Sequence, residues 1–382
     1  VVWQDDRNGN WDIYILDLST KKQTHTTNKS DQLNPDIDGS KVVWEDLRNG
    51  GHDVYLQDLT TKKQTRITTS GKAIRPRIQG NRIVWMDGRN GENLEGNVLA
   101  VGNWDIYMYD IASAKEYQIT SNQSMQVYPD IYKDRIVWRD QRNMGENPYE
   151  HVQVYMYNIS TSTESPVNYG EGTYFVQSPP MIYENRIVWM AESVGTNYNI
   201  YVYNLLTSTL IMIGYPYGTG YDSQPDIYGD KVVWTQWAEP GNSDIYMYNL
   251  STSTGIQITT NKSNQEYPAI YGDKIVWQDS RNGNQNDVFN YDIYMATLSY
   301  LPVASFSASP VSGKAPLKVQ FSDKSTGAPT SWKWSFGDKT YSTQKNPKHT
   351  YSKPGKYTVS LTVKNSVGIN TKTVSGYIVV KK

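Results

Sequence analysis

Short runs of alternating apolar and polar residues cover most of the chain, and turns rich in Gly, Asn, Asp and Pro separate them. Successive side chains of a β-strand point to opposite faces of a sheet, so a period of two predicts half-buried strands. No segment shows a convincing helical period. The pattern therefore predicts an all-β protein of short antiparallel strands, joined by turns such as Asp38-Gly39 and Asn282-Gly283.

The alternating runs form a repeat. Two apolar residues followed by Trp occur seven times, ending at Trp3, Trp44, Trp85, Trp138, Trp189, Trp234 and Trp277. A second element, usually Asp-Ile-Tyr, follows each triplet and ends at Tyr14, Tyr55, Tyr107, Tyr155, Tyr201, Tyr246 and Tyr294. The tryptophans are 41 to 53 residues apart, a spacing typical of four-stranded propeller blades. We interpret these Trp and Tyr rings as packing between neighbouring blades rather than as ligand contacts.

Each repeat contains four predicted strands, a to d, in which strand b carries the Trp and strand c the Tyr. Strand a contains a Pro-x-Ile segment, as at Pro35, and strand d contains a Gln-x-Ile-Thr-like segment, as at Gln64. Strands b and c occur seven times but a and d six times, because Val1 already lies in strand b of the first repeat. Unpaired sheet edges invite pairing with another chain. We therefore expect the native protein to have a d strand and an a strand upstream of Val1.

The repeat ends near residue 300, where the composition changes, so we place a domain boundary between residues 1–300 and 301–382. The second segment alternates over four stretches, Val319–Ser322, Trp332–Phe336, Tyr357–Lys364 and Tyr377–Val380. Such a pattern predicts a small immunoglobulin-like β-sandwich. The expected fold of the whole chain is a seven-bladed β-propeller followed by this sandwich.

Three parts of the second segment form a recognisable motif set. They are Trp334-Ser335-Phe336-Gly337-Asp338-Lys339, then His349-Thr350-Tyr351, and then Pro354-Gly355-Lys356-Tyr357 with Val359-Ser360-Leu361-Thr362-Val363. Over nearly its whole length the segment resembles a PKD domain, although Ser335 and Lys339 stand where that family usually has Asp and Gly. Members of the family are extracellular spacer and adhesion modules without catalytic residues, and the resemblance implies the same here.

The propeller repeat, over residues 1 to about 300, is similar to that of TolB-like propellers. It is more specifically similar to the tandem-repeat surface proteins of methanogenic archaea, in which such propellers are joined to PKD domains. The resemblance implies an exported, envelope-associated protein of the cell surface or surface layer. It supplies no ligand and no catalytic motif that carries over to these residues.

The composition narrows the classes of partner. Lys and Arg number 37 against 38 Asp and Glu, so the whole chain has no net field that would attract nucleic acid or an anionic membrane. The absence of Cys excludes disulfides, thiolate zinc sites and a thiol nucleophile. No run of about 18 apolar residues is present, so no membrane insertion is expected within these residues. Because the chain starts inside a strand-like segment, we expect an export signal and an anchor to lie outside it.

Five repeats carry the motif Trp-x-Asp-x-Arg-Asn. Its Asp and Arg are Asp5 and Arg7, Asp46 and Arg48, Asp87 and Arg89, Asp140 and Arg142, and Asp279 and Arg281. Residues two apart in a strand share a face, so we interpret each pair as a structural ion pair. The alternative is a ring of carboxylates around a cation or an acidic sugar. The fifth and sixth repeats have Ala191 and Gln236 at the Asp position, which disfavours a ring.

Strand a is expected to line the central channel and to place Asp36, Asp130 and Asp226 near Arg77. No Asp-x-Asp-x-Asp-Gly loop is present, so no cofactor is predicted, with calcium kept as the alternative. The histidines lie in different parts of the chain, and no Gly-x-Ser-x-Gly motif occurs. They are His25, His52, His151 and His349. We therefore predict that the protein is not an enzyme.

The longest and most variable connections join strand b to c and strand d to a, which places them on one face of the predicted propeller. Variable loops over a constant scaffold are the usual place for binding. Aromatic residues of this face are the candidate ligand-binding residues, for sugar stacking or protein contact. They are Trp11, Trp104, Tyr174, Phe175, Tyr215, Tyr217, Tyr221 and Trp237. The alternative is that these loops only pack on one another.

These features predict a non-enzymatic extracellular or cell-surface protein. The propeller would be an interaction or adhesion platform, and the PKD domain a spacer or contact module. The expected partners are other cell-surface proteins, glycans or further copies of the chain. The alternative function is that of a propeller-based polysaccharide lyase or hydrolase acting outside the cell, which rests on fold analogy.

Overall fold

The computed structural model of the chain describes residues 1–91, 102–143, 152–167, 175–193, 197–214, 224–238, 242–283 and 291–382. The chain divides into two compact units, Val1–Met295 and Ala296–Lys382. Within the described ranges, no helix is long and apolar enough to cross a membrane.

The first unit contains seven antiparallel sheets that follow one another along the chain. The first three sheets comprise β1 (Val2–Asp5), β2 (Asp12–Leu16) and β3 (Gln23–His25); β4 (Gln32–Asp38), β5 (Lys41–Asp46), β6 (Asp53–Asp58) and β7 (Gln64–Arg66); and β8 (Ala73–Gln79), β9 (Arg82–Asp87), β10 (Asp105–Asp110) and β11 (Lys115–Gln118). The fourth and fifth comprise β12 (Gln126–Tyr132), β13 (Arg135–Asp140), β14 (Gln153–Asn158) and β15 (Thr163–Pro166); and β16 (Phe175–Val176), β17 (Met181–Tyr183), β18 (Arg186–Ser193), β19 (Asn197–Asn204) and β20 (Thr209–Gly214). The last two comprise β21 (Asp226–Tyr228), β22 (Lys231–Ala238), β23 (Asn242–Asn249) and β24 (Thr254–Gln257); and β25 (Gln265–Tyr271), β26 (Lys274–Asp279) and β27 (Asp292–Thr297).

The repeated Trp and Tyr form the core between neighbouring sheets. In all seven sheets the two rings stack, with centroids 5.6 to 6.3 Å apart. Trp138 and Tyr155 of the fourth sheet share a core cluster with Ile106 and Met108 of the third. The second to sixth sheets each pack their aromatic pair against the aliphatic face of the preceding sheet, so the packing predicted from the repeat is observed there.

Among the described residues, the first and seventh sheets contain three strands each. Ile293 and Met295 of β27 are 40% and 41% exposed, whereas the equivalent Ile245 and Met247 of β23 are 0% and 5% exposed. The last sheet therefore leaves apolar surface uncovered that the other sheets bury. The prediction of a seven-bladed β-propeller is confirmed, and the expected closing strands upstream of Val1 stay a prediction.

The second unit is a β-sandwich of two sheets, and this prediction is also confirmed. Its strands are β28 (Phe306–Ser309), β29 (Ser312–Lys314), β30 (Leu317–Asp323), β31 (Ser331–Ser335), β32 (Tyr341–Ser342), β33 (Lys348–Tyr351), β34 (Gly355–Lys364) and β35 (Ile369–Lys381). The smaller sheet has the order β28-β30-β33, and the larger has the order β29-β35-β34-β31-β32. The core between them contains Phe306, Phe321, Trp334, Phe336 and Tyr351. Its rings are in direct contact, as in the Phe321–Trp334 pair with centroids 5.4 Å apart.

Candidate binding site in the central channel

The Trp-x-Asp-x-Arg-Asn motif forms a closed cluster at the hairpin between strands b and c. In the fourth sheet, Trp138 Nε1 donates to Asp140 Oδ2 at 2.8 Å, and Arg142 donates to both carboxylate oxygens at 2.9 and 2.7 Å. The guanidinium carbon of Arg142 lies 4.1 Å from the centre of the Tyr155 ring. The Asp–Arg pair is formed in all five repeats that carry the motif.

The Asn that ends the motif completes the cluster. Its amide donates to the hydroxyl of the stacked Tyr in each of the five sheets, with distances of 2.7 to 3.3 Å. The carboxylates are thus saturated by donors from their own hairpin, as Asp140 shows. In the first sheet, the hydrogen bond from Arg7 holds the pKa of Asp5 below its usual value. These acids stabilise the hairpins and do not form an open ring for a cation or a sugar.

The inner strands bring four charged residues together in the channel. Arg77 Nε donates to Asp130 Oδ1 at 3.2 Å, and Arg77 Nη1 lies 3.8 Å from Asp36 Oδ1. Each Asp also accepts a backbone N–H of the following sheet. The pairs are Asp36 with Ile78, Asp130 with Ile182, and Asp226 with Ile270, at 2.7 to 2.8 Å. The predicted grouping of Asp36, Asp130 and Asp226 near Arg77 is therefore present, and it fastens one blade to the next.

Burial raises the pKa values of two carboxyl groups in the channel, those of Asp226 and Asp130. It raises the pKa of Asp226 to about 6, against the hydrogen bonds from the Ile270 and Ile227 N–H groups and the charge of Arg77. Burial likewise raises the pKa of Asp130, with Arg77 opposing the shift. Among the described residues, no three His, Cys, Asp or Glu side chains converge to hold a metal. The calcium alternative therefore gains no support from the described part of the channel.

The channel opens at the start of the inner strands into a pocket of about 270 Å³, here called the loop-side mouth. Four of its lining residues precede a proline and have positive φ: Asn34 (51°), Arg75 (53°), Tyr128 (58°) and Tyr267 (52°). Each sits in a register shift of its inner strand. Bulges of this kind redirect a side chain out of the regular alternation. The bulges therefore aim two phenols, a guanidinium and an amide into one opening.

The preceding blade holds three of these bulges in place. The backbone N–H of Asn34 donates to Gln4 Oε1 at 2.8 Å, and that of Tyr267 donates to Thr235 Oγ1 at 3.2 Å. The N–H of Arg75 donates to Glu45 at 3.4 Å. Left-handed backbone at non-glycine residues persists only where surrounding contacts hold it, and it is enriched at binding sites. The loop-side mouth is therefore a preorganised pocket.

The opposite end of the channel carries an aromatic arc that the sequence analysis did not assign. The rings of Tyr132, Tyr183, Tyr228 and Tyr271 contact one another in sequence, with centroids 4.7 to 4.8 Å apart and planes tilted by 46 to 53°. Successive blades of a seven-bladed ring are rotated by 360°/7, about 51°, so each tyrosine repeats its neighbour's position. Burial raises the pKa of Tyr183, and contacts with the hydroxyls of Tyr228 and Tyr132 raise it further. The signal was a Tyr two residues after the channel position of strand a, because residues two apart face the same side.

The candidate aromatic residues of the loop face differ in exposure. Trp11 is 37% exposed and Trp237 of β22 is half-buried. Trp104 is only 2% exposed and belongs to the core cluster that joins the third and fourth sheets. The prediction of an accessible ring at Trp104 is therefore wrong, because the neighbouring sheet covers it. Tyr174, Tyr215, Tyr217 and Tyr221 lie outside the described residues, as does the side chain of Phe175.

The histidines make local pairs in separate parts of the fold. His52 Nδ1 lies 2.5 Å from Glu45 in the second sheet, and His25 Nδ1 lies 3.7 Å from Asp12 in the first. His349 Nε2 lies 2.8 Å from Asp338 in the second unit. His151 lies outside the described residues. The three described histidines therefore do not meet in one site.

The two units resemble different known proteins. Residues 301–380 match the model of the PKD domain family. One curated relative, collagenase ColA of Bacillus cereus, is 45% identical over 67 residues, which cover 16% of this chain and only 7% of the collagenase. The matched stretch is thus a small part of that protein.

Solved propeller structures resemble the chain at low identity. The β-propeller domain of the trilobed protease of Pyrococcus furiosus, described as having an open velcro topology, aligns with a TM-score of 0.58 at 14% identity, covering 77% of this chain and 90% of its own. An oligogalacturonate lyase in complex with manganese aligns with a TM-score of 0.55 at 14% identity, covering 78% and 85%. TolB of Acinetobacter baumannii reaches a TM-score of 0.49 at 16% identity, covering 70% and 65%. The chain thus combines a β-propeller, shown by fold alone, with a PKD domain at residues 301–380.

Proposed function

We propose that the protein is a non-enzymatic protein of the cell surface or extracellular space, and that its propeller binds a glycan or another surface protein at the loop-side mouth. The observation that carries this proposal is the preorganised pocket of about 270 Å³ lined by Asn34, Arg75, Tyr128 and Tyr267. The PKD domain supports the location, because the family resemblance implies an extracellular spacer or contact module. The finer assignment to an archaeal surface layer is part of this proposal.

The chemistry of the mouth suits a hydroxylated or peptide ligand. Tyr128 and Tyr267 offer ring faces, while Arg75 and Asn34 offer hydrogen-bond donors. The guanidinium carbon of Arg75 already lies 5.0 Å from the centre of the Tyr128 ring, so one donor and one ring face are oriented together. A few oriented polar groups among apolar rings are typical of small-ligand pockets.

A glycan array and a panel of surface peptides test the proposal. The double variant Tyr128→Ala with Tyr267→Ala should weaken binding of any positive ligand about tenfold or more, because tyrosines that a bound partner covers often dominate binding energy. Tyr117→Ala is the matched control, since Tyr117 is 43% exposed on the outer strand β11. Equal losses in both variants would contradict the assignment to the mouth.

The alternative lyase or hydrolase function has one observation in its favour. The raised pKa of Asp226, about 6, would suit a general acid, and Asp226 lines the same pocket. Both of its oxygens, however, already accept backbone N–H groups, from Ile227 and Ile270. Turnover of an array-positive polymer that disappears in Asp226→Asn would establish the enzyme and refute the binding proposal.

A further inference from the structure

The near-zero net charge of the chain conceals an uneven distribution between the two units. The second unit has thirteen lysines, no arginine and two carboxylate side chains, Asp323 and Asp338, which gives a formal charge of +11 without the terminal carboxylate. The first unit has 24 basic and 36 acidic side chains, which gives −12. An asymmetry of this kind indicates a separate electrostatic role for the basic part.

Both carboxylates of the second unit are already engaged. Asp323 Oδ2 accepts Trp332 Nε1 at 2.9 Å, and Asp338 Oδ2 lies 2.8 Å from His349 Nε2. Every residue of this unit is described, and its one ion pair is that between His349 and Asp338. The thirteen lysine ammonium groups are therefore without a carboxylate partner inside the unit.

The outer face of the larger sheet gathers part of this charge on a flat surface. Trp334, Val359, Leu361 and Val363 are buried in the core, so the residues between them point outward. The strand register arranges the outward residues in three rows: Tyr341, Ser335, Ser360 and Thr373; then Lys333, Thr362 and Thr371; then Ser331, Lys364 and Ile369. We call this surface the lysine face. It contains six hydroxyl side chains, two lysines, one tyrosine and one isoleucine, and no carboxylate.

The groups of the lysine face lie within reach of one another. Lys333 Nζ is 5.8 Å from the centre of the Tyr341 ring, which is 63% exposed. Thr362 and Thr371 share a hydroxyl hydrogen bond of 2.8 Å. Lys333 and Lys364 are diagonal neighbours on adjacent antiparallel strands, a relation that separates residues by about 7–8 Å. One anionic ligand on this face can therefore contact both ammonium groups.

We infer that the lysine face binds an acidic polysaccharide. Ammonium groups pair with the carboxylates of such a polymer, the Ser and Thr hydroxyls exchange hydrogen bonds with its hydroxyls, and Tyr341 offers a ring face to the sugar. The unit has no arginine, the residue best suited to bidentate phosphate contacts, which disfavours nucleic acid. The inference deepens the proposed function by naming a partner class for the PKD domain, and it concerns a different unit from the loop-side mouth.

Binding of the full chain to immobilised alginate, with neutral dextran as the reference, tests the inference. The variant Lys333→Gln with Lys364→Gln should bind alginate about tenfold more weakly, because two charge contacts are lost. The matched control is Lys318→Gln with Lys348→Gln. These two lysines are also diagonal neighbours on antiparallel strands, but on the outer face of the smaller sheet. The control removes the same charge and should weaken binding only about twofold, because the solvent and salt screen more distant charges.

Further readouts decide between the possible partners. Alginate binding that falls as salt is added, and that weakens again in Tyr341→Ala, supports the inference. No alginate binding at low salt, or equal losses in the two lysine pairs, would overturn it. Equal or tighter binding to duplex DNA or to phosphatidylglycerol vesicles would also overturn it.

Light scattering that shows association between copies, which alginate fails to disrupt, would identify the acidic propeller of a second copy as the partner instead. Loss of alginate binding in Tyr128→Ala with Tyr267→Ala, but not in Lys333→Gln with Lys364→Gln, would place alginate at the loop-side mouth and overturn this inference, so this test and that of the proposed function can fail separately.

Discussion

The propeller and the PKD domain use charged side chains in opposite ways. In the propeller, Arg142 is fixed between the Asp140 carboxylate and the Tyr155 ring, and the same arrangement recurs in four other sheets. In the PKD domain, Lys333 and Lys364 stand on an exposed sheet face without a carboxylate. A charged side chain thus stabilises the fold where hydrogen bonds and burial hold its partner in place. Where no partner exists inside the unit, the charge is available to another molecule.

The propeller and the PKD domain should unfold independently. Substitutions in their cores have the largest expected effect on stability. Trp85 and Trp334 are both 0% exposed, one in each unit. Replacing either by Ala should lower the free energy of unfolding of its own unit by about 3–5 kcal/mol, because a large buried ring is lost. Calorimetry should show one transition shifting while the other stays in place. Trp11→Ala, at a 37% exposed indole, is the control and should shift little. A common shift of both transitions would contradict independent cores.

Breaking one hairpin cluster should have the next largest effect. Asp140→Ala removes the acceptor of Trp138 Nε1 and of the Arg142 guanidinium at a fully buried carboxylate. We expect a loss of about 2–4 kcal/mol in the free energy of unfolding of the propeller, measured in urea. Asp273→Ala, at a half-exposed carboxylate, should cost less than about 0.5 kcal/mol. Asp273 pairs only with the exposed Lys274, so similar losses at the two positions would refute the contrast between buried and exposed charges.

The channel acid Asp226 should show the cost of burying a charge. Its pKa of about 6 in the folded protein exceeds that of an unfolded Asp, so the folded state binds the proton more tightly. The contribution of Asp226 to the free energy of unfolding therefore falls as pH rises from about 4 through 6, and it levels off above about pH 7. Asp226→Asn keeps one acceptor, for the Ile270 N–H, and loses the acceptor for the Ile227 N–H. The free energy of unfolding of this variant relative to the unchanged protein should therefore be more favourable at pH 7.5 than near pH 4, by about 1–2 kcal/mol.

The control for this pH dependence has the opposite sign. Arg7 lowers the pKa of Asp5, so that carboxylate stabilises the fold above its unfolded pKa and loses the effect as the solution is acidified. Asp5→Asn should therefore destabilise the propeller at pH 7.5 and less so near pH 3. If the change in the free energy of unfolding followed the same pH profile in Asp226→Asn and Asp5→Asn, the opposite pKa shifts assigned to these two carboxyl groups would be wrong.

The smallest effect is expected on the lysine face. Lys333→Gln with Lys364→Gln should change the free energy of unfolding of the PKD domain by less than about 0.5 kcal/mol, because neither lysine has an ionic partner to lose. The measurement is the thermal midpoint of the PKD transition at low salt. A loss above about 1 kcal/mol would mean that these lysines stabilise the fold, and the contrast with Asp140 would no longer hold.

Periodicity made the architecture predictable, but it did not predict burial. Trp11 and Trp104 occupy the same place in the same Asn-Trp-Asp-Ile-Tyr sequence, yet they are 37% and 2% exposed. Trp104 packs in a core cluster with Val127 of the next sheet. A local motif contains no information about such a neighbour, so the exposure of the candidate aromatic residues could not be predicted from it.

The channel is a second example in which the sequence predicted only part of the structure. The sequence indicated that Asp36, Asp130 and Asp226 would lie near Arg77, because the inner strand of every repeat was recognisable. It did not indicate the bulges that turn Arg75 into the loop-side mouth, since a register shift depends on how two strands pair. The tyrosine arc was also missed, although its spacing of two residues from the channel position was present in the sequence.

By itself, the sequence determined the number of sheets, the order of their strands, the Asp–Arg pairs and the sandwich that follows. These features depend on contacts within one repeat, and a period of two along a strand is enough to specify them. The tertiary structure decided which rings are buried, where the channel opens and which lysines share a face without a carboxylate. Those features depend on residues far apart in the chain, because a surface forms only when separate strands are brought side by side.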